Sequence, residues 1–483
     1  MNFKMMGKFL GTVMLIEAAL LLLPITVSFI YGESAIPFLI TAGILLAAAL
    51  PTRILKPKNT RIYAKDGFVC VALSWILLSL FGALPFIFSG VITNFIDAFF
   101  ETVSGFTTTG ASILTEIESL PRGILFWRSL THWVGGMGVL VFMLAILPSS
   151  DGNVIHIMRA EVPGPQKGKL VPKLRKSSIL LYTIYLGITV AEIIALLCTG
   201  IPLYDSIINS FGTMGTGGFS VLNDSIAGYN NPAAEWVIAV FLFLSGINYN
   251  IYFFILIRKF RDIAKSEELR AYLAIVTVAT ALISVNIWTS IGENETFANV
   301  LRASFFQVTS IVSTAGFTTV DINLLPVFSK SIILILMFTG ACSGSTAGGF
   351  KISRLIILLK TMRQKLLRLI KPNAVQPLRL DGNTLDDNTG ESALGYLSFC
   401  AVITLVSFLL ISIDGQDMET NATAVISCFN NIGPYMGAGV GPLGSFANFS
   451  YFSKIVLALN MLFGRLEIMP MLILFSPSTW RKR

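Results

Sequence analysis

Four short segments of the chain follow one pattern, and each ends in a glycine between apolar runs. They are residues 107–110, 215–218, 313–316 and 430–433, about one hundred residues apart. Two residues before the last glycine stand Thr108, Thr216, Thr314 and Asn431, and six before it stand Ser104, Gly212, Ser310 and Ser427. Glycine allows backbone angles that other residues resist. The pattern therefore predicts four copies of one unit, each a short amphipathic helix followed by a polar bend.

The composition is that of a chain that lies in a membrane. Of its 483 residues, 54% are hydrophobic and only 13% are charged, and the mean hydropathy of +0.74 lies outside the range of ordinary globular domains. Runs long enough to span a bilayer are predicted at residues 9–30, 36–55, 68–90, 124–148, 178–200, 233–257, 271–291, 330–358, 393–413 and 454–476. The first run is too long for a signal peptide, so we predict that it remains as a span.

Spans and bends together predict an all-α polytopic membrane protein, with an N-terminal two-helix hairpin and four pseudo-symmetric units around one central pore. Each unit would contain a span, a re-entrant pore helix, a bend and a second span. Non-helical backbone persists at membrane depth only where it is buried in protein or lines a water-filled path. The predicted divisions are 1–66 for the hairpin and 67–158, 159–262, 263–380 and 381–483 for the units.

Basic residues cluster on one side of the predicted spans. Most of the 35 lysines and arginines fall in the loops near 53–65, 159–176, 258–270 and 351–379 and at the chain ends. The positive-inside rule puts these loops and both termini in the cytoplasm, and the same distribution argues against nucleic acid as a partner. The opposite loops carry acids such as Asp97, Glu101, Glu116 and Asp224, which predict an acidic outer vestibule that concentrates cations.

The four bends are predicted to bind a cation. Each pore helix would descend from the outer face, so its C-terminal end, with roughly half a negative charge, would point to the membrane centre. Carbonyls of the next residues can replace the hydration shell of an ion, and threonine hydroxyls can add ligands. The candidate ligands are Thr108, Thr109, Gly110, Thr216, Gly217, Gly218, Thr314, Ala315, Gly316, Asn431, Ile432 and Gly433. The alternative is small-residue helix packing, our interpretation of Gly135, Gly136 and Gly138.

A glycine-rich interruption of the span at 330–358 is a candidate gate. It is too polar to remain a regular helix, and its glycines can absorb the dihedral changes of a hinge. The alternative is a flexible kink packed against its neighbours. The segment consists of Gly340, Ala341, Cys342, Ser343, Gly344, Ser345, Thr346, Ala347, Gly348 and Gly349.

Arg465 is a second candidate for the gate. It lies near the middle of the last predicted span, where a charge costs ~2.5 to 3.5 kcal/mol on insertion scales, so it should face a polar cavity or a partner. The alternative is a structural pair with Glu467 or with carbonyls of the interrupted segment.

Other polar residues in the spans give weaker signals. Glu17 and Glu192 are interpreted as interhelical hydrogen-bonding groups, with a role in transport as the alternative. His132 and His156 lack companions for metal binding or general base chemistry. Five isolated cysteines indicate neither a disulfide framework nor a zinc site. No paired carboxylate, Ser/His arrangement or metal cluster is visible within the spans. We therefore expect no enzyme activity and no cofactor in this chain.

With these features the chain resembles the Trk/Ktr/HKT superfamily of potassium transporters, specifically the TrkH-type membrane subunit of bacterial potassium uptake. The resemblance rests on the four bends, the N-terminal hairpin and the run from Trp127-Arg128 to Gly138. It implies a potassium-channel-like pore in which the twelve candidate ligands form the selectivity filter. Residues 340–349 would be an intramembrane gating loop, and Arg465 would project into the pore below the filter. The fourth bend departs from the pattern with Asn430, Asn431 and Pro434.

The resemblance also implies low- to moderate-affinity potassium uptake across the bacterial inner membrane, with potassium as the substrate ion. A cytosolic TrkA-type subunit that binds NAD or ATP would dock on the basic loops and gate the pore, and two copies would form a homodimer. The alternative is a symporter that couples potassium to protons or sodium. The repeats favour a pore, because coupled carriers usually show inverted repeats and carboxylates at the membrane midplane.

Overall fold

The computed structural model describes residues 1–54, 63–138, 174–291, 296–371, 377–386, 388–437 and 445–481, and their regular secondary structure is almost entirely helical. In the first half the helices are α1 Phe3–Leu20, α2 Leu22–Ile30, α3 Ile36–Ile54, α4 Ala64–Gly82, α5 Leu84–Phe88, α6 Phe95–Phe106, α7 Arg122–Gly136, α8 Leu174–Cys198, α9 Leu203–Gly215, α10 Pro232–Ser245 and α11 Tyr249–Leu256. In the second half they are α12 Phe260–Lys265, α13 Glu267–Ile291, α14 Phe297–Val312, α15 Val327–Thr339, α16 Ile352–Ile370, α17 Thr389–Ile411, α18 Met418–Asn430, α19 Tyr451–Arg465, α20 Met469–Phe475 and α21 Pro477–Trp480.

Six helical stretches in the described part are long and apolar enough to cross a membrane. They are Phe3–Ile30, Ile36–Ile54, Lys65–Phe88, Ser178–Cys198, Glu267–Ser290 and Thr389–Asp414, and each coincides with a predicted span. Helices α10 and α11 make a seventh if their 90° bend is counted within one span. The prediction of an all-α polytopic membrane protein is thereby confirmed.

Three further predicted spans contain shorter helices. The span at 330–358 is broken between α15 and α16, where Gly340 adopts a φ of +62°, as the sequence predicts. The span at 454–476 is broken between α19 and α20, where Glu467 and Ile468 have φ values of +57° and +64°, and this break is not predicted. In the span at 124–148, α7 ends at Gly136, and residues 139–148 lie outside the described part of the chain.

Long and short helices differ in what surrounds them. Helices α8 and α17 expose apolar side chains such as Leu186 and Leu405, which is the surface that lipid covers. The short helices α6, α9, α14 and α18 are almost completely buried in their C-terminal halves. The short helices therefore form the centre of the molecule, and most of the long ones form its lipid-facing layer.

The starts of the short helices explain their direction. The side chain of Asn94 accepts a hydrogen bond from the Ile96 amide at 2.8 Å to cap α6, and Asp417 accepts one from the Thr420 amide at 3.0 Å to cap α18. Hydrogen bonds from Thr420 hold the pKa of Asp417 below its ordinary value. A carboxylate at a helix N-terminus is favoured by the helix dipole. The burial of the C-terminal halves shows that the opposite ends of these helices point inward.

A two-stranded antiparallel hairpin follows α16. Strands β1 Arg379–Leu380 and β2 Asn383–Thr384 pair in the register Arg379↔Thr384 and Leu380↔Asn383. Asp381 in its turn accepts a hydrogen bond from the Glu267 amide at 2.8 Å, and the Asp381 amide donates to Glu267 at 3.1 Å. The hairpin is thus attached to the first turn of α13.

Candidate functional site

Helices α6, α9, α14 and α18 all end in the same hydrogen-bonded turn, next to one of the four patterned glycines. We call residues 107–110, 215–218, 313–316 and 430–433 bends 1 to 4. The bonds run from the amides of Thr109, Gly217, Ala315 and Ile432 to the carbonyls of Ser104, Gly212, Ser310 and Ser427, over 2.9, 2.8, 2.9 and 2.9 Å. Such a bond is the longer one of a Schellman cap. The residue six positions before each patterned glycine therefore supplies the carbonyl that accepts this hydrogen bond.

A residue in the left-handed region follows each helix, and in all four bends it is not glycine. The φ angles are +55° for Thr108, +56° for Thr216, +59° for Thr314 and +57° for Asn431. This conformation costs an ordinary residue about 1–2 kcal/mol, and asparagine tolerates it best. The sequence predicts unusual backbone angles at the glycines alone. Asn431, which departs from the threonine of the other three bends, occupies a position where asparagine fits the backbone well.

The four glycines form a closed ring with the carbonyl groups of neighbouring bends. Gly110, Gly218, Gly316 and Gly433 have φ angles of +79°, +78°, +78° and +100°. A Cβ atom added to them would overlap the carbonyl oxygens of Gly217, Ala315 and Ile432 for the first three, and lie 2.6 Å from that of Thr109 for the last. Bend 1 thus abuts bend 2, bend 2 abuts bend 3, bend 3 abuts bend 4, and bend 4 abuts bend 1. All twelve candidate ligands are brought together around one axis.

Two side-chain oxygens in the bends are buried without a hydrogen-bond partner among the described residues. They are Thr108 Oγ1 and Asn431 Oδ1. The Asn431 amide nitrogen is used, because it donates to Thr109 Oγ1 and to the Met461 carbonyl, each at 3.0 Å. Unpaired buried oxygens are rare and call for an explanation. Together with the surrounding carbonyls they make an oxygen-rich environment, which suits an alkali cation.

A cavity of about 280 Å³ opens where the chain leaves the bends. Gly110, Gly218, Gly316, Asn223 and Asp224 are among the residues that line this cavity, which we call the outer cavity. Glu118 and Glu116 lie beside it, since Glu118 accepts from the Asn223 amide at 3.1 Å and Glu116 from the Asn223 side chain at 3.4 Å. This arrangement agrees with the predicted acidic vestibule, which would raise the local concentration of cations.

The glycine-rich loop, residues 340–349, lies directly against bends 3 and 4. The Gly348 amide donates to Thr314 Oγ1 at 2.7 Å. A Cβ atom added to Gly348 would lie 2.7 Å from the Asn430 carbonyl oxygen and 2.8 Å from the Asn431 Cβ atom. The loop is therefore packed as the kink interpretation expects, and it is also next to the candidate ion ligands.

The other side of the loop is bound by the residues between α10 and α11, where this helix pair is broken. Helices α10 and α11 meet at 90°, and the Cys342 amide donates to the Gly246 carbonyl at 3.1 Å within that break. The Tyr249 amide donates to the Gly344 carbonyl at 3.0 Å. This break is not predicted, although Gly246 and the helix-capping Asn248 are signals of it within the apolar run.

Glu268, in the first turn of α13, also binds the loop. Its Oε1 atom accepts hydrogen bonds from the amides of Ser343, at 2.6 Å, and Ser353, at 3.1 Å. Glu268 is only 9% exposed. Because Ser343 lies in the loop and Ser353 at the start of α16, one carboxylate holds the loop to the helix that follows it.

Arg465 connects the loop to the end of α7. Its Nη1 atom donates to the Thr346 carbonyl at 2.8 Å, and its Nη2 atom donates to the carbonyls of Gly135 and Gly136 at 2.5 and 2.8 Å. Of the expected alternatives, the contact with loop carbonyls is present. Glu467, the other expected partner, binds Arg354 at 2.5 Å.

The glycines of α7 are packing residues, as the sequence predicts. A Cβ atom on Gly135 would overlap the Phe106 carbonyl, and one on Gly136 would lie 2.7 Å from the Gly215 Cα atom. Helix α7 therefore contacts the ends of α6 and α9. Helix α7 thus lies against bends 1 and 2 and the glycine-rich loop lies against bends 3 and 4, and Arg465 joins the helix to the loop.

Glu101 was placed among the acids of the outer loops, and this expectation is wrong. It lies within α6, is 1% exposed and binds the Nε atom of Arg128 on α7 at 2.6 Å. Glu101 lies in the same helix as Asp97, so their positions in the sequence do not show which of the two is buried. The signal available was the presence of one arginine and one glutamate in adjacent apolar helices, where a buried charge needs a partner.

Comparison with known proteins identifies the family. A family model described as a cation transport protein, TrkH, matches residues 38–482. The Trk system potassium uptake protein TrkH of Salmonella typhimurium is 35% identical over 488 residues and covers 100% of both chains. The Trk system potassium uptake protein TrkG of Escherichia coli K12 is 33% identical over 429 residues, 88% of this chain and 87% of its own.

A solved structure agrees over the same length. The crystal structure of the potassium transporter TrkH from Vibrio parahaemolyticus matches with a TM-score of 0.89 and 30% identity, covering 100% of both chains. The resemblance derived from the bends is confirmed. The family consists of membrane transporters, which confirms that the protein is not an enzyme. The chain belongs to the TrkH family of cation transport proteins.

Proposed function

We propose that the chain conducts potassium into the cell through a gated, ion-selective pore on the axis of the four bends, as a low- to moderate-affinity Trk system. The observation that carries this proposal is the closed ring in which each bend glycine abuts a carbonyl of the next bend. The relatives suggest the ion, because they are named Trk system potassium uptake proteins.

The chemistry of the bends supports a cation as the conducted species. The C-terminal ends of α6, α9, α14 and α18 carry partial negative charge, and the bends that follow supply backbone carbonyls and buried oxygens such as Thr108 Oγ1. Carbonyl rings of this kind replace the hydration shell of potassium. In this proposal the twelve residues around the ring are the selectivity filter.

The glycine-rich loop and Arg465 form the gate in this proposal. The loop touches bends 3 and 4, and Arg465 links it to the end of α7. A positive charge held beneath a cation site raises the barrier to the next cation. Gly340, Gly344 and Gly349 have φ angles of +62°, +74° and +75°, so the loop has the glycines that a hinged opening requires.

We also propose the assembly that the family resemblance implies. The chain would lie in the bacterial inner membrane with both termini in the cytoplasm. It would be divided into the hairpin, residues 1–66, and four pore units with the bounds that the sequence predicts. A TrkA-type subunit that binds NAD or ATP would dock at the cytoplasmic end of α16 and on the β1–β2 hairpin. A second copy would complete a homodimer. Support comes from α16, where the exposed Leu366 and Leu369 alternate with bases such as Arg368.

Reversal potentials in planar bilayers test the conduction mechanism. A pore predicts a reversal potential that follows the potassium gradient alone and does not move when pH or sodium is stepped on one side. A shift of the reversal potential with the proton or sodium gradient, at a fixed potassium gradient, would replace the pore with a coupled symporter.

A further inference from the structure

A buried ion pair stands behind bends 1 and 2. Arg128 on α7 binds Glu101 on α6 through Nε and Oε1 at 2.6 Å, and the two side chains are 2% and 0% exposed. Burying two charges is expensive, and the attraction between them repays that cost only when further hydrogen bonds satisfy both groups. The remaining partners of the pair therefore indicate what it does.

Glu101 holds the strand that leaves bend 1. Its Oε2 atom accepts a hydrogen bond from the Ile113 amide at 3.0 Å, and Oε1 accepts one from Ser112 Oγ at 3.0 Å. Both residues follow Gly110 within three positions. The carboxylate thus fixes the outgoing chain of bend 1 to its own descending helix.

Arg128 holds the strand that leaves bend 2. Its Nη1 atom donates to the Ser220 carbonyl at 3.4 Å, and its guanidinium carbon lies 3.4 Å from the centre of the Phe219 ring. The imidazole of His132 stacks on the same ring, with 3.9 Å between centroids. Because both groups lie within 4 Å of the ring centre, they occupy its two opposite faces. Phe219 follows Gly218 directly, so its backbone belongs to the exit of bend 2.

We propose that Glu101 and Arg128 are positioning residues that set the discrimination of the pore between potassium and sodium. This inference rests on the proposed function. The pair joins the outgoing strands of two adjacent bends, and these bends carry the carbonyl-to-glycine contact between Gly217 and Gly110. A carbonyl ring that could contract around a smaller ion would lose its preference for potassium, and such sites need support that holds them within about 0.5 Å.

Neutral variants of the pair test the proposal in the full-length protein reconstituted in planar bilayers. The variants are Glu101→Gln, Arg128→Gln and the double variant, and the readout is the potassium-to-sodium permeability ratio from bi-ionic reversal potentials. We expect the ratio to fall on the order of ten-fold in all three, because displaced groups near a binding site change its energetics steeply.

The double variant separates positioning from charge. Arg128 lines the outer cavity, so Glu101→Gln leaves a cation there and should lower conductance, whereas Arg128→Gln leaves an anion and should raise it. If the pair acted through its charge alone, the uncharged double variant would regain the wild-type permeability ratio. That result would overturn the proposal.

The control is another ion pair of similar length. Arg302 on α14 binds Glu235 on α10 at 2.8 Å, and neither residue lines the outer cavity. Arg302→Gln should leave the permeability ratio unchanged. If the glutamine variants of the proposed pair do not fold, Arg128→Lys tests the proposal instead. Lysine keeps the positive charge but lacks the planar guanidinium group that reaches both Glu101 and the Ser220 carbonyl. We expect a reduced ratio in this variant, and an unchanged ratio overturns the proposal.

The wild-type protein distinguishes this inference from the function on which it rests. If the wild type shows no potassium-selective current, the proposed function fails. If the wild type is selective and the folded variants keep the same permeability ratio, the proposed function stands and only the role of Glu101 and Arg128 is wrong.

Discussion

The backbone amide of Gly348 donates a hydrogen bond to the hydroxyl oxygen of Thr314 over 2.7 Å. Gly348 belongs to the glycine-rich loop and Thr314 is the left-handed residue of bend 3. One side chain therefore connects the proposed gate to the proposed filter. The loop cannot move away without leaving the Gly348 amide unpaired or giving it a new partner.

Removal of the Thr314 hydroxyl should favour the open pore. We expect Thr314→Ala to raise basal potassium flux about five-fold, since the lost hydrogen bond contributes about 1 kcal/mol to the closed arrangement. Thr314→Ser is the matched control, because it also lacks the branched methyl group but keeps the hydroxyl. Flux into proteoliposomes measures both variants, and equal flux in the two would contradict this role of the bond.

Glu268 should stabilise the closed loop through its two amide contacts. Glu268→Ala leaves the amides of Ser343 and Ser353 without the acceptor they have here, a loss of about 1–3 kcal/mol. We expect higher basal flux and faster proteolysis at the loop. Its neighbour Glu267 binds Lys360 and the β1–β2 hairpin instead, so Glu267→Gln should leave basal flux unchanged. A basal flux that rises equally in both variants would assign the effect to the helix end and not to the loop.

The charge of Arg465 should oppose potassium flow. Arg465→Ala is expected to raise flux, because it removes both a cation beneath the bends and the bonds to the Thr346 and Gly135 carbonyls. Arg465→Lys keeps the charge while losing the forked contacts, so its flux should stay closer to that of the wild type. Unchanged or lower flux in well-folded Arg465→Ala would leave Arg465 as a structural residue only.

Close packing behind bend 4 should make Gly464 sensitive to any side chain. A Cβ atom there would overlap the Phe429 carbonyl oxygen, whereas one on Gly395 in α17 has nothing within 4 Å. Gly464→Ala should lower the melting temperature in detergent. Gly395→Ala should be neutral or stabilise by up to about 1 kcal/mol, the helix-propensity difference. Equal melting temperatures for the two variants would contradict the packing of α19 against bend 4.

The sequence carried the features that depend on local backbone chemistry. Glycines at 110, 218, 316 and 433 mark the bends because each needs a positive φ and space for a neighbouring carbonyl, and both requirements leave a one-residue signature. The break at 340–349 was equally visible, since several glycines and polar residues cannot continue a helix in a membrane.

Features that depend on contacts between distant residues were not predictable from one sequence. The left-handed angle of Thr108 is maintained by its surroundings against its own preference, so residue type gives no hint of it. An acid and a base in apolar helices suggest that Glu101 has a partner, but Arg128 could be assigned to it only once α6 and α7 were known to be adjacent. The break before Ile468 has no glycine within it, and Pro470 two residues later was its only local sign.

The central claim is that the four bend glycines surround one ion path. Serine substitution at each of Gly110, Gly218, Gly316 and Gly433 tests it, with Gly90→Ser as the control, because Gly90 has a similar φ of +76° but nothing within 4 Å of an added Cβ atom. Potassium and sodium uptake should be measured in proteoliposomes for all five variants. We expect each bend variant to lose potassium uptake or its preference for potassium over sodium, while Gly90→Ser behaves as the wild type. Wild-type uptake and selectivity in all four bend variants would contradict this claim.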